Sequence, residues 1–410
     1  MTKRKARFPD LFTGFEDEMR KQGFSYATRL YNLHNCNALF KFHEARGTEY
    51  LNAAITAEYT KTVRDRYDNG EIGRHYYASL ICNITRFANY AESGRLELPS
   101  PRRGSTYSLT PKYEELCEAY LASANMHPNT QNDARWVAHK YFAWLISQSY
   151  YDISDVCAEQ LQKFLLHCSK EMAQSSLHDV NLHLKKLYAY LYGKGLSDSP
   201  YTALLSFKVN RESRIYPPVP KEDIEIILGG INRNSKRGKR DYAIMLLGAV
   251  TGLRAIDVTN MKLTDIDWIN GTIKIFQSKT GKTVILPLTR DVGEAIRDYI
   301  LNSRPQTNAK QIFLRCKAPH TPFKSAVTIG NIYQDCCKAV GMDKGKAFHA
   351  LRRTLGRDMV TNGVPVTTVA QVLGHSEIDS AKKYIALDGK HLKLCALGFD
   401  GIAFKGGGAG

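Results

Sequence analysis

Three prolines fall within four residues at Pro217-Pro218-Val219-Pro220. Each fixes its own φ, removes a backbone N–H and drives the residue before it toward extended conformations. No helix or central strand can run through that point, so the chain folds as separate parts joined by an extended strap. A second break, Leu98-Pro99-Ser100-Pro101-Arg102-Arg103-Gly104-Ser105, has the composition of a linker. Together they divide the 410 residues into a helical N-terminal module at 1–104, a second helical module at 105–213, a linker at 214–220 and a C-terminal domain at 221–410. Each part has an ordinary domain size.

Both N-terminal modules read as helical. Leu177, Val180, Leu184, Leu187 and Leu191 recur at three- and four-residue steps and mark one buried face. Leu30, Leu33, Ala38 and Phe42 give the expected equivalent in the first module. The two modules also echo each other. Phe40-Lys41-Phe42 parallels Phe142-Ala143-Trp144, and Arg86-Phe87-Ala88-Asn89-Tyr90 parallels Lys186-Leu187-Tyr188-Ala189-Tyr190. A common offset of about 100 residues is the signature of a tandem duplication. The remaining faces carry Tyr, Lys, Arg, Asn and His. Such faces serve equally as a nucleic-acid surface or as the solvated side of a plain helical bundle.

The C-terminal domain changes pattern. Residues 221–231 and 239–251 are helical by periodicity. Thr272–Gln277 and Thr283–Leu288 alternate as strands, and Ser278-Lys279-Thr280-Gly281-Lys282 between them suits a hairpin turn. Helical patterning resumes after residue 291. The expected fold class is mainly α, with one small antiparallel β-sheet in a mixed, mostly helical C-terminal domain.

Charge narrows the partner. Fifty-seven basic against forty acidic residues give a net charge of +17. That excess favours a phosphate-backbone partner. No basic amphipathic segment points to a membrane surface, no apolar run reaches a bilayer-spanning length, and no signal peptide is visible. Nine cysteines, without any Cys-x-x-Cys, give neither a disulfide framework nor a zinc site. They read as reduced thiols in a cytoplasmic protein.

Five short pieces of the C-terminal domain carry potential chemistry. They are Thr251-Gly252-Leu253-Arg254, the hairpin residue Lys279, His349-Ala350-Leu351-Arg352, Leu373-Gly374-His375-Ser376, and Tyr384 after the helix-start signal Asp379-Ser380. Each has an ordinary reading by itself. Arg254 can pair with Asp257 one turn on, Lys279 can be a solubilising charge, and one tyrosine among 23 is commonplace. As a set they differ. Two arginines, two histidines and a lysine suit a phosphodiester whose charge grows in the transition state, and a tyrosine supplies a nucleophile.

With these boxes in this order and spacing, the C-terminal domain resembles the catalytic domain of the tyrosine recombinases, also called the phage integrase family. The resemblance covers about 190 residues. It implies that Tyr384 attacks a phosphate of double-stranded DNA, leaving a 3′-phosphotyrosyl link and a 5′ hydroxyl. It implies that Arg254 and Arg352 clamp the phosphate oxygens, Lys279 is the general acid, and His349 accepts the tyrosine proton. His375 then hydrogen-bonds the phosphate, and Asp257 is a supporting residue that orients its neighbours. No metal, ATP or other cofactor enters such a route.

The same resemblance implies a core-binding role for residues 105–213. It further implies a homodimer on one recombination site, a homotetramer on two, accessory DNA-bending or directionality factors, and a nucleoid-associated location. Leu392, Leu394, Ala396, Leu397 and Phe399 would form the C-terminal element that docks on a neighbour. The implied function is integration, excision or transposition of a mobile element. Two alternatives share the motifs: type IB topoisomerase-like relaxation, and a DNA-binding protein without catalysis. Residues 1–104 depart from the family's small N-terminal β domain and read as a second core-binding copy. Gly356-Arg357 also departs from the small apolar pair expected after the second arginine.

Overall fold

The computed structural model describes residues 7–96, 107–206, 218–277, 280–342 and 347–374. The first module is four helices, α1 (Phe8–Lys21), α2 (Tyr26–Glu44), α3 (Ala53–Asp68) and α4 (Arg74–Ser93). Their ends follow local chemistry. The Ser25 hydroxyl accepts from the Thr28 N–H at the start of α2, and the Asn52 side chain accepts from the Ala54 and Ile55 N–H groups at the start of α3. Gly94, at φ +66°, ends α4 in the left-handed conformation. Phe8, Phe15, Met19, Cys36, Leu39, Ile84 and Phe87 fill the core.

The buried face of α2 is not the expected leucine stripe. Leu30 is 48% exposed, and the buried residues are Asn32, Asn35, Cys36, Leu39 and His43. Several of these polar side chains are buried because they have partners. Asn32 Oδ1 accepts from Arg86 Nη1 at 2.7 Å, and His43 Nδ1 donates to the Leu39 carbonyl at 2.9 Å. Counting apolar residues alone therefore rotates the helix onto the wrong face.

The second module is again four helices, α5 (Pro111–Ser123), α6 (Pro128–Ser147), α7 (Ala158–Glu171) and α8 (Gln174–Gly193). Here the expected stripe holds: Leu177, Val180, Leu184, Leu187 and Leu191 are all buried. Tyr141 and Tyr188 meet hydroxyl to hydroxyl in its core. Phe87 on α4 and Leu187 on α8, matched in the sequence echo, are both core residues. The segment 107–206 holds ten acidic and eight basic residues, so the chain's positive excess lies elsewhere.

From residue 218 the chain forms α9 (Lys221–Gly229), α10 (Lys236–Thr251), α11 (Ala255–Asn260), β1 (Ile266–Asp267), β2 (Thr272–Gln277), β3 (Lys282–Pro287), α12 (Arg290–Asn302), α13 (Val327–Ala339), α14 (His349–Thr361) and α15 (Val366–Val372). The sheet is antiparallel in the order β1-β2-β3, and β2 pairs with β3 from Thr272 opposite Pro287 to Gln277 opposite Lys282. The Gln277 carbonyl accepts from the N–H groups of Thr280 and Gly281, closing the hairpin. Helix α10 is the spine of the core and packs on α12 and α14. A Cβ on Gly248 would stand 2.3 Å from the Phe348 ring, so only glycine admits this close approach of α10 to the start of α14.

The described residues up to 96 and those from 218 on form one compact unit, and residues 107–206 form another. Within the first unit, Ala318 packs against the core of α1–α4. Among the described residues no helix is long and apolar enough to cross a membrane. Burial pushes the thiols of Cys36, Cys117 and Cys336 up to about 12 and that of Cys168 up to about 11, which leaves them protonated and unreactive at neutral pH.

The end of the proline strap is fixed by a buried hydroxyl. Thr354 Oγ1, on α14, accepts from the Val219 N–H at 2.8 Å and lies 3.0 Å from the Val219 carbonyl, and both residues are buried. Thr354→Val keeps the shape and strands that N–H without a partner. We expect it to lower the unfolding free energy by about 1–3 kcal/mol in urea titrations, with the m-value unchanged.

Candidate active site

Helix α10 ends where the Thr251 hydroxyl turns back to the Leu247 carbonyl at 2.5 Å. Gly252 then takes φ +61°, a conformation that reverses the chain and brings Arg254 to the extended position before α11. The Arg254 side chain is 14% exposed. Its Nη1 donates to Gln277 Oε1 at 2.5 Å, and its Nη2 donates to the Gly374 carbonyl at 3.1 Å. The expected pairing with Asp257 is only the outer contact, at 4.0 Å, with the Asp257 side chain fully buried. Arg254 thus gives one N–H from each Nη to a neutral oxygen, and the Asp257 carboxylate stands farther off, at 4.0 Å.

Arg352 reaches the same place from α14. It is 1% exposed. Its Nη1 donates to the Gly252 carbonyl at 3.0 Å, and its Nη2 donates to the Leu373 carbonyl. The two arginines therefore grip consecutive carbonyls, of Leu373 and Gly374, at the end of α15. Two guanidinium groups brought to consecutive carbonyls form a cationic pair suited to an anion that offers several oxygens. His349 is the first residue of α14 and is exposed, one turn before the buried Arg352. The two share a helix, as the three-residue spacing predicts, but their burial differs sharply.

Lys279, His375 and Tyr384, and the C-terminal segment 388–399, lie outside the described residues. In sequence, Lys279 falls between Gln277 and Thr280, and His375 follows Gly374 directly. Two residues of the neighbourhood escaped the sequence reading. One is Thr354, already described. The other is Gln277, 1% exposed, whose Oε1 also accepts from Thr280 Oγ1 at 3.2 Å. A Cβ on Gly374, which has φ +63°, would stand 2.2 Å from that same oxygen. The signal was present: Gln277 shares the inward register of β2 with Ile273 and Ile275, and an inward amide needs a polar partner.

Most of the chain's positive excess falls in the region that holds this site. Residues 218–374 hold 24 Lys and Arg against 13 Asp and Glu.

The comparisons with known proteins converge. The profile of the phage integrase family matches residues 219–391. The putative integrase/recombinase y4gC of Sinorhizobium fredii is 33% identical over 183 residues, covering 44% of this chain and 94% of that protein. The chain belongs to the phage integrase family, the tyrosine recombinases. A second S. fredii member of the family, the putative integrase/recombinase y4rA, is 33% identical over 226 residues, 55% of each chain. The integrase-family chain described here thus spans about half the length of y4rA. Its fold is shared with the crystal structure of a lambda integrase (75–356) dimer bound to a COC′ core site, at a TM-score of 0.54 and 18% identity, over 69% of this chain and 97% of that one. In both chains the fold is mainly helical with a small antiparallel sheet, as expected.

Proposed function

We propose that this integrase-family protein breaks and rejoins double-stranded DNA at specific sites to integrate, excise or transpose a mobile element. The observation that carries the reading is the arginine pair: Arg254 and Arg352, 98 residues apart in sequence, hold consecutive carbonyls directly before His375. In this reading the Tyr384 phenol oxygen forms a bond to the scissile phosphorus, and the bond to the 5′ oxygen breaks. The phenol proton passes to His349, and Lys279 gives a proton to the departing 5′ oxygen. Arg254 and Arg352, with His375, bear the negative charge that grows on the phosphate oxygens. A free phenol has a pKa of about 10, so a proton acceptor and nearby cations are what make it reactive at neutral pH. Asp257, buried beside Arg254, orients it. The phosphotyrosyl ester conserves the bond energy, and the 5′ hydroxyl of a second strand reseals the break without a cofactor.

The lambda integrase likeness supports the DNA partner, and the name carried by y4gC and y4rA supports integration and recombination. We assign residues 105–213 as a core-binding domain and 1–104 as a second helical copy of it. The assembly is a dimer on one site and a tetramer on two, nucleoid-associated, with accessory DNA-bending or directionality factors.

The test uses nicked duplexes tiled from the DNA that flanks the coding sequence, incubated with the wild-type protein and with Tyr384→Phe. We expect a protease-sensitive, SDS-resistant adduct with wild type and none with the variant. An adduct with both would remove Tyr384 as nucleophile. Relaxation of supercoiled plasmid irrespective of sequence would favour a topoisomerase, and binding without any adduct would leave a DNA-binding protein.

A further inference from the structure

We infer that Gln277 is a positioning residue for the first arginine of the site, and that its amide oxygen sets where the Arg254 charge stands. The inference rests on the strand-exchange reading above and deepens it. Gln277 ends β2, where the strand alternation turns its side chain inward, and 1% of the residue is exposed. Its Oε1 takes the Nη1 donor of Arg254 at 2.5 Å and the hydroxyl of Thr280 at 3.2 Å. Its backbone carbonyl accepts the two N–H groups that close the hairpin. The absence of a side chain at Gly374 leaves the space that the amide fills. One buried side chain thus touches three separate boxes: the arginine after α10, the hairpin that carries Lys279 in sequence, and the glycine before His375.

The choice of an amide is physically pointed. A carboxylate at this place would pair with Arg254 and cancel the charge the phosphate needs. An apolar side chain would leave Nη1 without its acceptor and let the guanidinium swing. A neutral acceptor fixes one edge of the fork and leaves the charge intact. A guanidinium has five N–H donors, and Gln277 and the Gly374 carbonyl use one each of its Nη1 and Nη2 sets. The others remain to meet a phosphate.

The test compares two DNA substrates that differ only at the scissile phosphate. One is the ordinary diester. The other is a methylphosphonate, in which a non-bridging oxygen is replaced by an uncharged methyl group. Less negative charge then develops in the transition state, and a correctly placed arginine matters less. We use Gln277→Met, which keeps length and volume and removes the acceptor, and Thr280→Val, which loosens the amide from the less buried side. On the diester we expect Gln277→Met to slow adduct formation roughly 10–100-fold, the range for loss of a partner that orients a charged group. Thr280→Val should slow it a few-fold. Both deficits should shrink on the methylphosphonate, with DNA affinity and melting temperature close to wild type.

Equal deficits on both substrates, or none on either, would overturn the role of Gln277 while the strand-exchange reading stands. If Gln277→Met does not fold, unequal deficits for Thr280→Val still decide the matter. Absence of an adduct with the wild-type protein on the diester would overturn the strand-exchange reading and this role with it.

Discussion

Arg352→Ala is expected to eliminate adduct formation and to destabilise the C-terminal region together, whereas Arg352→Lys should separate the two effects. The alanine variant removes a side chain that is 1% exposed and joins the end of α10 to the end of α15 through the carbonyls of Gly252 and Leu373. Both carbonyls lose their donor and a cavity opens, which should cost about 3–5 kcal/mol, enough to remove much of the stability of a typical domain. Lysine keeps the charge but cannot hold two acceptors in a planar fork. We expect it to lose far less stability and still to slow cleavage by about 10²–10³-fold, the scale for loss of one charge-stabilising donor. Urea titration and single-turnover adduct formation, measured on both variants, check this. Near-wild-type cleavage by Arg352→Lys would show that the fork geometry is not used.

Gly252→Ala should produce the second large effect. The residue sits at φ +61°, and a Cβ there would stand 3.0 Å from both Leu355 and Leu373. The left-handed conformation alone costs a non-glycine residue about 1–2 kcal/mol, and the two leucines must also give way. The damage would reach beyond stability. The Gly252 carbonyl is an acceptor for Arg352, and the reversal at Gly252 places Arg254 two residues later. One methyl group would therefore displace both arginines. We expect a lowered midpoint of denaturation and a fall in cleavage rate larger than the loss of folded protein explains. Cleavage in proportion to the folded fraction would confine the role of Gly252 to packing.

Much of this was legible in the sequence where the physics is local. Hairpin and helix starts are decided by a few neighbouring residues. The strands at 272–277 and 282–287 emerged within a residue of the expected spans. The helix expected at 239–251 begins earlier, at Lys236, because the Ser235 hydroxyl accepts from the Gly238 N–H and starts the first turn there. Long-range polar pairing was not legible. Nothing near Asn32 in sequence indicates Arg86, 54 residues on, so the face of α2 was placed wrongly. Thr354 was overlooked for the same reason, and for Gln277 the inward register of β2 showed the need for a polar partner without showing which one. Their partners, Val219 and Arg254, are 135 and 23 residues away. The grouping of the N-terminal helices with the C-terminal region is likewise a product of contacts such as Ala318 against the α1–α4 core.

The hydroxyl that holds Val219 has a mechanical meaning. A pull on the polypeptide from its N-terminal side would not be absorbed in a loose linker past this residue. It would arrive at Thr354, two positions after Arg352 on α14. The anchor bears on the helix itself, the element that carries the buried arginine.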